Sequence, residues 1–284
     1  MNKLFPRTTV GGVSLPRMLM GTNWLIGYSH RSSAADCGIR EKYATPESYL
    51  PVIEAYLDYG IDAIMGPIST TPIAYEAIRH AEAVTGKKIT IIDTPYINVD
   101  DTADARAEAN ALIKKSSEMG STFCLIHHAS AEQLVNKNKR IIDRLPDYLY
   151  MIREAGMIPG LSAHMPELVQ YSDANEYDVE TYIQIFNCMG FLMQVEVESV
   201  ARIIQDAKKP VMTIKPFAAG RCTPFVGLTF SWNAIRDCDM ITVGAASAAE
   251  VREDAELSLA ILERRFPDLT ARSSPAPQTV LGHK

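Results

Sequence analysis

One local pattern, repeated along the 284 residues, restricts the fold more than any other feature. A helix-like segment ends in glycine, and a short apolar run follows directly: "AYLDYG IDAIMG", "AEAVTG KKITIID", "SSEMG STFCLIHH", "IREAG MIPGLSAH" and "FNCMG FLMQVEVE". Gly60, Gly86, Gly120, Gly156 and Gly190 stand where a chain leaving a helix needs a left-handed residue, which costs glycine least. The runs are rich in Ile, Leu, Val and Met without sustained alternation, as strands buried on both faces are. "RMLMGTN", "KKPVMTIKPF" and "CDMITVGAAS" bring the number of strands to eight, expected over 17–23, 61–66, 88–93, 121–127, 157–162, 191–197, 210–215 and 239–244.

Helices are expected between them. In "ATPESYLPVIEAYL" Thr45 is placed to cap and Pro46 to open the first turn, and "ASAAEVREDAELSLAILERRF" is long and amphipathic. Eight strand–helix units in roughly 250 residues imply an α/β protein of the closed (β/α)₈ TIM-barrel type, one domain over 1–284. A doubly wound open sheet is the alternative, but the glycines of "GGVSLPRMLMG" precede the first strand and so form no phosphate loop after it. Long polar segments follow strands one, four and five, on the side where barrels grip substrates. The Pro/Ser-rich end, about 268–284, reads as a flexible tail.

Composition limits the partners. With 47% apolar and 22% charged residues the chain can bury a large core, and its net charge of −6 disfavours nucleic acid and anionic membrane surfaces. No apolar stretch approaches the roughly 20 residues of a membrane span, and "MNKLFPRTTVGG" carries no secretion signal. Five cysteines without a CxxC pair suit neither a disulfide framework nor a cysteine zinc site, so a reducing cytoplasm is expected. The expected partner is a small-molecule substrate; assembly into a homo-oligomer stays open.

Barrel chemistry gathers at the carboxyl ends of the strands. Those positions hold Asn23, Gly66-Pro67, Asp93-Thr94, His127-His128, Ser162 with His164, Glu196 with Glu198, Lys215, and Gly244 through Ser247. Ionisable groups end five strands in succession, in a chain with six histidines. Because strand neighbours point to opposite sides, one of His127 and His128 at most is expected to face the mouth. The plain alternative is that both are polar punctuation or core histidines. Lys215 reads either as a rim lysine or as a group whose lowered pKa serves chemistry. Glu196, on the same face as Glu198, is the better catalytic candidate; Glu198 suits the opening of a helix.

At these ends the chain resembles the aldo-keto reductases. "LIHHAS" is similar to that family's "LIHWPD", which carries its catalytic histidine, here His127. "GLSAH" resembles "GVSNF", "MQVEV" resembles "NQVEY", "IKPFAAG" resembles "YSPLARG", and "VGAASAAEVRED" resembles "IGARTPEQLEEN". "RTTVGGVSLPRMLMGT" resembles the opening hairpin, here about 7–15, and the first strand. The resemblance covers about residues 7–262. It implies the barrel, a nicotinamide cofactor, and cofactor contacts at Ser162 and at Gln194, the glutamine that holds the nicotinamide amide.

The departures are as informative. The family's Asp-Tyr-Lys-His tetrad survives only as His127: Met65 stands for the aspartate, Thr70 is near the tyrosine's place with Tyr75 five residues late, and Asp93 or Pro95 replaces the lysine. Ala163, Ile214 and Ala246 replace three cofactor-contacting residues, and Glu250, Glu253 and Asp254 bring negative charge close to where phosphates would lie.

These losses put an enzyme of acid–base chemistry on a small polar carbonyl or sugar-like substrate first, of isomerase, epimerase or lyase type. His127, His164, Glu196 and Lys215 are its catalytic candidates. Asp93, His127, His164 and Glu196 form a ligand set suited to Mn²⁺, Zn²⁺ or Fe²⁺, with NAD(P) ranked below the metal. Asn23, His30 and Arg31 are the candidates for gripping an anionic substrate group. The second reading is an atypical NAD(P)H-dependent reductase with another proton donor; the third is a non-catalytic binding barrel.

Overall fold

The computed structural model describes residues 4–269, so the expected tail beyond them lies outside the described residues. The antiparallel hairpin β1 (Arg7–Val10) and β2 (Val13–Pro16) comes first. The segment after β3 (Met18–Gly21) folds into α1 (Asn23–Ile26) and α2 (Ser33–Lys42), with Ser32 capping the latter through the Ala35 amide. α3 (Leu50–Leu57), β4 (Ala63–Gly66), α4 (Pro72–Thr85), β5 (Thr90–Asp93), α5 (Ala103–Glu118) and β6 (Phe123–Ile126) then alternate. After β6 come α6 (His128–Ala131), a small hairpin of β7 (Val135–Asn136) and β8 (Ile141–Ile142), and α7 (Leu145–Glu154). The remaining elements are β9 (Ile158–Ala163), α8 (Glu167–Ala174), β10 (Thr181–Ile185) and α9 (Val197–Asp206). They continue with β11 (Val211–Ile214), α10 (Pro224–Ala234), β12 (Met240–Val243) and α11 (Ala248–Leu262).

Eight strands pair in parallel and close in the order β3-β4-β5-β6-β9-β10-β11-β12. This is the expected (β/α)₈ barrel. Its interior is filled by Leu19, Ala63, Met65, Ile92, Phe123, Leu125, Ile183, Met212 and Met240. Val10 and Leu15 of the hairpin belong to the same cluster, so β1 and β2 floor the barrel. A second core lies between the outer strand faces and the helices, where Tyr56, Tyr148, Tyr182 and Phe186 are almost wholly buried. Burying each such ring is worth roughly 1.5–3 kcal/mol. Gly86 shows why the glycine pattern works: it ends α4 at φ 69° and donates to the Glu82 carbonyl.

The sixth barrel strand is displaced from its expected place. It is β10, "TYIQI", and not 191–197, which forms a loop and the entrance to α9. Gly190 (φ 63°) serves a turn after the strand instead of a helix end. There the Asn187 side chain accepts from the Met189 and Phe191 amides and donates to the Phe191 carbonyl. The true strand is preceded by "SDANEYDV", with no glycine to announce it. Two further expectations change in detail. Thr45 sits extended before the Pro46 turn but makes no side-chain cap, and the long segments after strands one, four and five hold α1–α2, α6 with the β7–β8 hairpin, and α8.

Gly160 on β9 marks a tight point of the wall. A Cβ there would meet Leu125 Cγ and the Thr181 carbonyl oxygen, each at 2.7 Å. Gly160→Ala is expected to lower stability by about 1–3 kcal/mol in urea denaturation, while Gly86→Asn, in open space with a left-handed backbone, costs far less.

Candidate active site

A cavity of about 760 Å³ opens at the carboxyl ends of the strands, within the size range of small-molecule sites. Its central wall carries Asn23, His127, His128, Ser162, His164 and Lys215. Strand phase explains most of this. Phe123 and Leu125 point into the barrel, so His127 follows them inward. His128 lines the cavity too, contrary to the expectation that one of the pair would turn away, because it is the first residue of α6 and strand alternation ends at His127. Ile214 and Lys215 are likewise consecutive lining residues. The left-handed backbone of Lys215 (φ 61°) breaks the alternation there.

The three histidines form a stack. His127 and His128 have ring centroids 4.3 Å apart, and His128 lies on His164 at 3.9 Å and 15°. The Ala129 amide donates to His127 Nδ1 at 3.3 Å, so the neutral ring carries its proton on Nε2. Glu132 Oε1 accepts the His164 and Met165 amides at 2.6 and 2.8 Å and lies 3.9 Å from His128 Nδ1. Burial opposes ionisation of Glu132, but these hydrogen bonds hold its carboxyl below the usual range. It is a supporting residue that strand-end reasoning missed, although its place four residues after His128 puts the two on adjacent turns.

Burial also sets the charge state of the site. It pulls His127 down to about 4 and His164 down to about 3, with His128 and Lys215 adding repulsion. Burial alone lowers Lys215 to about 8. His30 is lowered by burial and then by Lys215, and its Nε2 stands 3.4 Å from Asn23 Nδ2. At neutral pH Lys215 is therefore an ammonium beside neutral His127 and His164. Tyr96, three residues beyond β5, also lines the mouth, its ring 6.3 Å from that of His127.

The expected metal set does not assemble. Asp93 follows Ile92, which points into the barrel, and so faces the helices with Ile91. It is wholly buried there, accepts the Ser69 amide at 3.1 Å, and has its pKa raised by burial. Glu196 is exposed at the entrance to α9, away from the cavity lining, which also removes it from the catalytic candidates. Of the four, only His127 and His164 reach the mouth. Among the described residues no group of three His, Cys, Asp or Glu is placed to hold a metal.

The cofactor positions divide in the same way. Ser162 is buried and lines the cavity; Gln194 is exposed in the displaced loop and does not. The glutamine that β10 does carry, Gln184, shares the outward phase of Tyr182 and bonds to the Ile185 carbonyl. Tyr75 packs on α4 with Arg79 over its ring and is no cavity residue. Beyond Lys215, the backbone amides of Phe217 and Ala219 have no hydrogen-bond acceptor among the described residues, and both residues line the cavity.

No family model matches the sequence, and no curated protein matches it. Solved structures do. A protein of Pseudomonas aeruginosa assigned to the aldo-keto reductases aligns at TM-score 0.65 and 11% identity over 92% of this chain and 98% of its own. An aldo/keto reductase from Klebsiella pneumoniae in complex with NADP and acetate aligns at 0.57 and 15%, over 95% and 98%. Another from that organism, in complex with NADPH, aligns at 0.54 and 14%, over 96% and 100%. The chain has the aldo-keto reductase fold. That likeness overturns the ranking of isomerase or lyase above oxidoreductase. It also overturns the ranking of a divalent metal above NAD(P), since two of these neighbours carry NADP or NADPH while the expected metal ligands here are dispersed. No helix among the described residues is long and apolar enough to cross a membrane.

The lowered histidine pKa values make stability depend on pH. An unfolded imidazole protonates near its ordinary pKa of 6.5, whereas folded His127 and His164 resist protonation until about 4 and about 3. The unfolded state thus gains protons first as pH falls, and stability is lost from about 6.5 downward. Urea midpoints of the wild type are expected to fall more steeply between pH 6.5 and 4 than those of His164→Gln; parallel curves would show that His164 is not held neutral by the fold.

Proposed function

We propose that the protein is an atypical nicotinamide-dependent carbonyl reductase in which Lys215 supplies the proton that a tyrosine supplies in the aldo-keto reductases. The observation that carries this reading is Lys215 itself, a half-buried amine of pKa about 8 on the cavity wall, beside His127 and His164. A general acid works best when its pKa lies near the working pH, and burial has brought this lysine there. Met65 and Thr70 carry no acid and Asp93 faces the helices, so none of the three replaces a missing tetrad member.

The residues present suit a dinucleotide. The unpaired amides of Phe217 and Ala219 fit its diphosphate, and the Ser162 hydroxyl fits the nicotinamide amide. A reduced nicotinamide held there supplies the hydride that the carbonyl carbon takes up. Lys215 Nζ and the Nε2–H of His127 hold the carbonyl oxygen and stabilise the negative charge that develops on it. Lys215 then passes a proton from Nζ to that oxygen and recovers one from solvent. Asn23, His30 and Arg31 line the outer wall and favour a substrate with an anionic group beside the carbonyl.

Lys215→Met is expected to lower kcat/KM for NADH- or NADPH-dependent reduction of a carbonyl acid by about 10²–10⁴. The wild-type rate should fall as pH rises through about 8, as Lys215 loses its proton, and that limb should vanish in the variant. Titration of the purified protein with both reduced nucleotides, followed by nicotinamide fluorescence, should show micromolar binding; no binding of either would end the proposal.

A further inference from the structure

The far end of the same cavity is acidic. Glu250, Glu253 and Asp254, from the first turns of α11, line it, and they lie beyond β12, the barrel neighbour of β11. Asp254 is 3% exposed, and among the described residues no hydrogen bond or ion pair reaches its carboxyl. Burial, with Glu253 and Glu250 close by, raises its pKa to about 8. A buried carboxyl on a cavity wall without a partner is costly unless a ligand supplies one.

The groups that elsewhere receive an anion are already engaged here. The Ala246 amide, just ahead of α11, donates to Glu250 Oε2 at 2.6 Å, and the Glu250 amide donates to Ser247 Oγ at 3.2 Å. The first turn of the helix is thus closed by the chain's own carboxylate and hydroxyl. Lys42 is spent on the Ala246 carbonyl, which also accepts Tyr43 Oη at 2.6 Å. Arg31 and Lys215, the cations of the cavity wall, pair with none of the three carboxylates.

We infer that this end of the cavity takes the terminal nucleoside of a dinucleotide whose ribose is unphosphorylated, with Asp254 bonded to the ribose hydroxyls and Glu250 and Glu253 set against any phosphate there. The inference rests on the nicotinamide reading above. Given a nicotinamide beside Lys215 and a diphosphate on the loop after β11, the rest of the molecule runs onto the loop after β12, because the two loops are neighbours in the ring. A carboxyl group, protonated or ionised, can bond to a free ribose 2′-hydroxyl, while a 2′-phosphate needs a cation. The site accordingly favours NADH over NADPH.

The test is a pair of fluorescence titrations of the whole protein with NADH and NADPH, repeated on Glu253→Lys and Asp254→Ala, with thermal melts to show that each variant is folded. The expected wild-type Kd for NADH is at least about tenfold below that for NADPH. Glu253→Lys should tighten NADPH by about tenfold and narrow the ratio, and Asp254→Ala should weaken NADH more than NADPH. Glu253 is exposed, so its variant serves even if the loss of buried Asp254 disturbs folding. NADPH binding as tightly as NADH, or more tightly, would overturn the inference and leave the reductase reading standing. Failure of both nucleotides to bind removes the two together.

Discussion

Closing eight parallel strands into a ring imposes a phase on every strand, and that phase decides which side chains reach the mouth. Leu125 points inward, so His127 does; Ile92 points inward, so Asp93 does not. A one-residue change of phase on β5 would exchange a buried carboxyl under the helices for one at the mouth. The floor contributed by the β1–β2 hairpin and the packed interior below the cavity hold these phases in place.

Two residues escape the alternation, and both line the cavity. His128 does so because a helix begins at once, and Lys215 because its backbone is left-handed. The outcome is a ring stack with an ammonium beside it, in which His127 and His164 stay neutral partly because the lysine is charged. Glu132 braces the stack by holding the backbone at His164. The site differs from the tetrad of the family it resembles, with a lysine of lowered pKa and a neutral histidine at the mouth.

Seven of the eight strands could be read from the sequence because a helix-ending glycine and a dense apolar run coincide at most of them. The sixth could not. "TYIQI" follows a polar turn without the glycine, whereas "FLMQVEV" follows Gly190 and is apolar enough to mislead. That one displacement carried Gln194 and Glu196 into the expected site, and the structure leaves both exposed. Asp93 was misplaced for another reason: the end of a strand can be located from sequence more securely than the side its last residue faces. Residue types at strand ends identified His127, Ser162, His164 and Lys215 as cavity residues, but nothing local revealed the stacking, the bracing by Glu132 or the unpaired amides of the β11 loop.

The hairpin floor has one more consequence. With Val10 and Leu15 sealing the lower end, traffic among the described residues passes through the upper doorway alone. Whatever occupies the cavity must therefore arrive and depart past the loops that follow the strands, so those loops set the width of the entrance.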